Sequence, residues 1–145
     1  FHDLSPHQLD LCLHWFGRLK SIRGASRRLV VGTGPDDYVA GIMEFESGVL
    51  LDGLWCFAVD NPARSEDEFA IYGSEGKISF PFFGEQVVLE TADGREEITF
   101  DAPEWLQEPM LRMTVDYFLG RGENPCSVEY GLQTMNIIDS LTGNS

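Results

Sequence analysis

Basic residues are scarce in this chain. Ten Lys and Arg stand against 24 Asp and Glu, for a net charge of −14. A nucleic-acid partner would need a basic face to displace counterions, and this chain cannot easily assemble one. Anionic membrane surfaces are disfavoured on the same ground. Long apolar runs are missing too. None approaches the roughly 20 residues of a membrane-spanning helix, so no membrane partner is expected. The three cysteines, Cys12, Cys56 and Cys126, are scattered and odd in number. Without a Cys-x-x-Cys pair they indicate neither a zinc site nor a disulfide framework. Each reads as a small buried apolar residue, which fits a reducing cytoplasm. Cofactor loops are also lacking. Gly32-Thr33-Gly34 is followed by Pro35-Asp36-Asp37 and has neither the third glycine nor the helix of a dinucleotide fingerprint. There is no Walker loop and no Gly-x-Ser-x-Gly elbow. Phe1-His2-Asp3 opens without an initiator Met and not as a signal peptide, which leads us to expect a piece of something longer.

What is present is the makings of one globular domain, residues 1–145. Hydrophobic residues make up 43% of the chain and charged residues 23%, and the length suffices for a core without staples. Ser5-Pro6-His7-Gln8 predicts a helix start with Ser5 as cap. Leu9, Cys12, Leu13 and Phe16 continue at helical spacing up to Gly17. From Arg27 to Phe100 the pattern turns to strands. These are Arg28–Val31, Tyr38–Phe45, Val49–Ala58, Phe69–Tyr72, Lys77–Phe80, Gln86–Glu90 and Glu96–Phe100, most of them joined by short turns such as Glu46-Ser47-Gly48 and Asp93-Gly94. Two helices follow. One starts at the capping box Asp101-Ala102-Pro103-Glu104 and carries Leu106, Met110, Met113 and Tyr117 on one stripe. The other is capped by Ser127 and turns Leu132, Met135, Ile138 and Leu141 inward before Gly143. The predicted fold is α+β: one open, mostly antiparallel β-sheet of about six or seven strands with helices on one face. On Val49–Phe57 both faces are largely apolar, so the second face is expected to meet another chain or domain as an oligomer contact.

The chemistry-bearing cluster is at the first helix. Asp3, His7, Asp10 and His14 fall within twelve positions, and the last three, at i, i+3 and i+7, share one helix face. A histidine beside a carboxylate is the usual general acid/base unit, because the carboxylate fixes the tautomer and steadies the imidazolium. The blander reading makes His7 and Asp10 ordinary polar residues of a first turn, where the helix dipole favours Asp. A metal site of His7, Asp10 and His14 is a further alternative, without the His-x-x-x-His spacing of helical zinc motifs. His14, beside Trp15, reads as a partly buried structural histidine. Glu66, Asp67 and Glu68 read as a solvated strand approach. Arg64, in the Asp60–Ser65 loop, is a candidate for an anionic or polyhydroxyl ligand, with a plain surface arginine as the alternative.

The run Asp3-Leu-Ser-Pro-His7-Gln-Leu-Asp10 resembles the Asp-x-x-x-His-x-x-Asp motif of the glucose–fructose oxidoreductase / inositol dehydrogenase (Gfo/Idh/MocA) family. Phe69-Ala-Ile-Tyr-Gly73-Ser-Glu-Gly76-Lys-Ile is similar to that family's strand, glycine-rich turn and strand. The resemblance implies the C-terminal substrate and oligomerisation domain of an NAD- or NADP-dependent dehydrogenase, whose N-terminal Rossmann domain and its catalytic lysine are absent here. It implies that Asp3 orients substrate hydroxyls, that His7 takes the hydroxyl proton as hydride leaves for the nicotinamide, and that Asp10 supports His7. Ser5 stands where the family usually has Gly. The family's substrate loop would fall near Pro62–Glu66, where only Arg64 suggests itself as substrate-binding. The expected partners are a sugar, cyclitol or polyol substrate, the chain's own Rossmann domain and further copies in a homo-oligomer through the sheet. The fragment alone is expected to be inactive, to bind no cofactor and no metal, and to belong to a cytoplasmic enzyme. Its acidity disfavours heavily phosphorylated substrates unless the other half supplies basic groups. The rival reading is a non-catalytic interaction or regulatory domain of the same fold.

Overall fold

In a computed structural model of the chain, the described residues are 1–30, 34–59, 66–101 and 104–143. They form α1 (Ser5–Phe16), β1 (Leu19–Arg27), β2 (Tyr38–Phe45), β3 (Leu50–Cys56), β4 (Phe69–Tyr72), β5 (Gly76–Phe80), β6 (Gln86–Thr91), β7 (Gly94–Thr99), α2 (Glu108–Phe118) and α3 (Val128–Thr142). The α+β class and the antiparallel pairing are as the sequence predicts. The single large sheet is not. The strands make two ladders, β1-β2-β3 and β4-β5-β6-β7, and the chain divides into two compact units, Phe1–Pro62 with Cys126–Ser145, and Ala63–Pro125. Residues 57–68 between β3 and β4 far exceed a hairpin loop, so nothing in the local sequence obliges those two strands to pair.

The first unit is a helix layer on a three-stranded sheet. The inward face of β2 supplies Val39, Met43 and Phe45, and the helices supply Leu9, Cys12, Leu13, Ile137, Ile138 and Leu141, all buried. Helix α3 lies across β1 and β2. It can do so closely because Gly24 and Gly41, directly paired across the two strands, leave room for the Leu141 methyl group. Phe16 packs edge-on against Phe45 with ring centroids 5.5 Å apart. The outward face shows Ile42, Leu50 and Leu54, each more than half exposed.

The predicted start of α1 shifts by one residue. Leu4 is already helical, at φ −97° and ψ −46°, so Ser5 is no cap. It is fully buried, and its hydroxyl turns back to donate to the Phe1 carbonyl at 2.7 Å. The end at Gly17 is as expected, at φ 85°. The predicted strand Arg28–Val31, whose last residue lies outside the described residues, gives way to β1, which starts nine residues earlier and ends at Arg27. Arg28–Val30 instead fold over Asp37, whose carboxylate accepts from the Leu29 and Val30 amides. Ser127 caps α3 as predicted, accepting from the Tyr130 amide at 3.2 Å. On α3, Ile138 and Leu141 face inward while Leu132 and Met135 are exposed, their places taken by Thr134 and Ile137. Cys12 is buried, but Cys56 and Cys126 are exposed, against the expectation that all three are core residues.

The second unit holds the four-stranded meander and α2. Phe69 and Phe80 stack across β4 and β5 at 5.2 Å, and Val87 faces Ile98 across β6 and β7. Helix α2 starts at Glu108 rather than at the Asp101–Glu104 box, of which Ala102 and Pro103 lie outside the described residues. Its cap position is Gln107, with a proline in the first turn. None of its residues is buried, so the predicted stripe of Leu106, Met110, Met113 and Tyr117 is exposed. No helix among the described residues is long and apolar enough to cross a membrane.

Candidate active site at the start of helix α1

Helix α1 displays the predicted cluster because its apolar residues fix its rotation. Leu9, Cys12 and Leu13 point into the core, which turns His7, Asp10 and His14 toward the other side. His7 and His14 are exposed and Asp10 is half-buried. His14 is therefore not the partly buried histidine the sequence suggested. Burial pushes the Asp10 carboxyl above the usual carboxylate range, and the charges of His14 and then His7 pull it back. The Asp10 carboxyl thus feels both histidines of its helix face. Asp3 lies exposed in the turn just ahead of the helix. No hydrogen bond ties it to His7 or Asp10 among the described residues.

Among the described residues, two side chains from distant elements hydrogen-bond to the Gln8–Asp10 turn of this helix, and neither carries a sequence signal. Tyr130 of α3 donates its hydroxyl to the Asp10 carbonyl at 3.2 Å, across 120 positions. Burial and then the Asp10 charge push the Tyr130 phenol upward. Trp55 of β3 donates its Nε1–H to Gln8 Oε1 at 2.5 Å, across 47 positions. Only the tertiary fold brings these residues to α1. No three His, Cys, Asp or Glu side chains group as metal ligands among the described residues, which leaves the His7–Asp10–His14 metal alternative without geometric support. Arg64 lies outside the described residues, as do Gly32 and Thr33.

An exposed histidine and a half-buried carboxylate thus share one face of a helix that belongs to the layer over an antiparallel sheet, in an α+β domain. The chain belongs to the GFO/IDH/MocA family: the family's C-terminal domain matches residues 1–79. An oxidoreductase of Formosa agariphila is 36% identical over 143 residues, which is 99% of this chain and 43% of that protein. The chain therefore spans less than half the length of that curated relative. Among solved structures, biliverdin reductase from Synechocystis, in complex with biliverdin and NADP+, superposes with a TM-score of 0.78 at 16% identity, over 96% of this chain and 45% of that one. The UDP-N-acetylglucosamine 3-dehydrogenase of Acidithiobacillus ferrooxidans gives a TM-score of 0.76 at 16% identity, over 97% of this chain and 46% of that one. At these identities the two structures establish the shared fold.

Proposed function

We propose that this chain is the substrate-binding and oligomerisation domain of a cytoplasmic NAD- or NADP-dependent dehydrogenase acting on a sugar, cyclitol or other polyol. The observation that carries the reading is the face of α1, where His7 is open to a ligand and shares its electrostatic surroundings with Asp10. The Formosa agariphila relative supports oxidoreduction, and the two solved structures, one holding NADP+ and one named a sugar-nucleotide dehydrogenase, support the cofactor and substrate classes.

Among the described residues, Gly34 is followed by Pro35 and no helix opens there, so this loop lacks the dinucleotide fingerprint. The nicotinamide, which supplies the hydride acceptor, is assigned to a preceding domain. The work left to this chain is proton chemistry. Asp3 orients a substrate hydroxyl, His7 accepts the hydroxyl proton at its imidazole, and Asp10 steadies the imidazolium that results. Arg64 is the one candidate for a further contact to the substrate.

Replacing His7→Ala in the longer protein that carries this domain should lower turnover by about 10²–10⁴-fold, the usual contribution of a positioned acid/base group. Steady-state kinetics decide it. Unchanged turnover in a folded variant would favour the non-catalytic interaction domain instead.

A further inference from the structure

We infer that Trp55 is a positioning residue that sets the spacing of Asp3 and His7. The inference rests on the proposed role of those two side chains. The indole touches the chain on either side of them. Its Nε1–H donates to Gln8 Oε1 at 2.5 Å, one residue after His7. Its ring meets the Phe1 ring edge-on at 5.2 Å and 70°, two residues before Asp3. The segment between is short and closed on itself, because the Phe1 carbonyl accepts from both the amide and the hydroxyl of Ser5, at 3.0 and 2.7 Å. One indole therefore spans the whole Asp3–His7 segment and ties both of its ends to β3.

The anchor itself is firm. Trp55 pairs in register with Val39, which is completely buried on the central strand β2. Its ring folds back along β3 over Gly53. A Cβ on Gly53 would sit 2.3 Å from the indole, so only glycine admits this ring position. Asp3 and His7, by contrast, are both exposed. Reacting groups misplaced by about 1 Å can cost about 10²-fold in rate. A sheet residue tied to both ends of the segment that carries them supplies a constraint on their spacing.

The test uses the longer protein with the variants Trp55→Phe, Gln8→Leu and Gly53→Ala, each checked for folding by circular dichroism. Trp55→Phe keeps a ring against Phe1 but removes the donor. Gln8→Leu removes the acceptor. Gly53→Ala pushes the indole aside. Each is expected to lower kcat about tenfold or more while leaving the KM for nicotinamide cofactor unchanged, and the Trp55→Phe/Gln8→Leu pair should be no worse than either alone. The His7 ring-proton resonances, followed by NMR at one fixed pH, should move in Trp55→Phe. Unchanged kcat together with unmoved His7 resonances overturns the inference, as do losses that simply add. If His7→Ala leaves turnover intact, the catalytic reading falls separately, and the His7 resonances still decide whether Trp55 fixes this geometry.

Discussion

At the residue scale, Asp10 carries the conflict that defines the site. Its carboxyl is raised by partial burial despite two nearby histidines. A folded-state pKa above the unfolded value means that the folded chain holds the proton more tightly. That contribution to stability is complete below the ordinary carboxylate value of 3.8 and is lost as pH rises through the raised one. Above this window, ionised Asp10 is a stability cost. Asp10→Asn should therefore melt no lower than the parent near neutral pH, with its advantage fading as the pH falls toward that of the carboxyl, while turnover of the longer protein drops. Thermal melts across pH check the first half and kinetics the second. A lower melting temperature at neutral pH would mean that the histidines outweigh burial. The motif itself was legible because helical spacing alone places His7, Asp10 and His14 on one face. Their supports were not. Trp55 meets Gln8, and Tyr130 meets the Asp10 carbonyl, only through the fold, and no local pattern links residues 47 or 120 positions apart.

At the scale of elements, legibility followed how far each element is defined by its own sequence. Strands β2 and β4 begin and end as predicted, since apolar runs bounded by turn residues specify them. Strand β1, Leu-Lys-Ser-Ile-Arg-Gly-Ala-Ser-Arg, reads as polar and glycine-containing, yet it pairs along eight residues of β2. Its strand character comes from tertiary context: it is an edge strand whose Gly24 accepts the crossing helix. The same contact yields a prediction. A Cβ at Gly41 would lie 2.3 Å from the Leu141 Cδ2 methyl, and at Gly24 2.4 Å. Leu141 is 1% exposed, so its methyl group can withdraw only into the packed core. Gly41→Ala should cost about 1–3 kcal/mol through overpacking. Adding Leu141→Ala should recover part of the loss at Gly41, so that the two changes together cost less than their sum. Denaturant unfolding of both single variants and the double variant measures this. Strict additivity would show that the helix and sheet are not packed as closely as the glycine pair implies.

At the scale of the whole molecule, the acid excess and the bare sheet face oppose each other. Ile42, Leu50 and Leu54 are 61%, 71% and 64% exposed on neighbouring strands of one face, an apolar patch that a lone chain leaves in water. Arg23 and Asp52 flank Ile42 in register on that same face, Asp52 between Leu50 and Leu54, so a two-fold pairing of copies can set the arginine of one against the aspartate of the other. Yet each copy carries −14, and bringing two together concentrates like charge. Apolar burial favours association, whereas long-range repulsion opposes it, and the two respond differently to salt. At about 0.15 M ionic strength charges are screened beyond roughly 8 Å, while burial of Ile42, Leu50 and Leu54 hardly changes. Self-association through this face should therefore strengthen as salt rises from a few millimolar, the reverse of a complex held by complementary charge. Leu54→Asp should abolish it at every salt concentration, because it replaces an apolar residue of the patch with a carboxylate that burial would strip of water. Sedimentation equilibrium of this chain and of Leu54→Asp, each at low and near-physiological salt, separates the cases. Monomers throughout would remove the sheet as a contact between copies, and association that weakens with salt would assign it to charged rather than apolar surface.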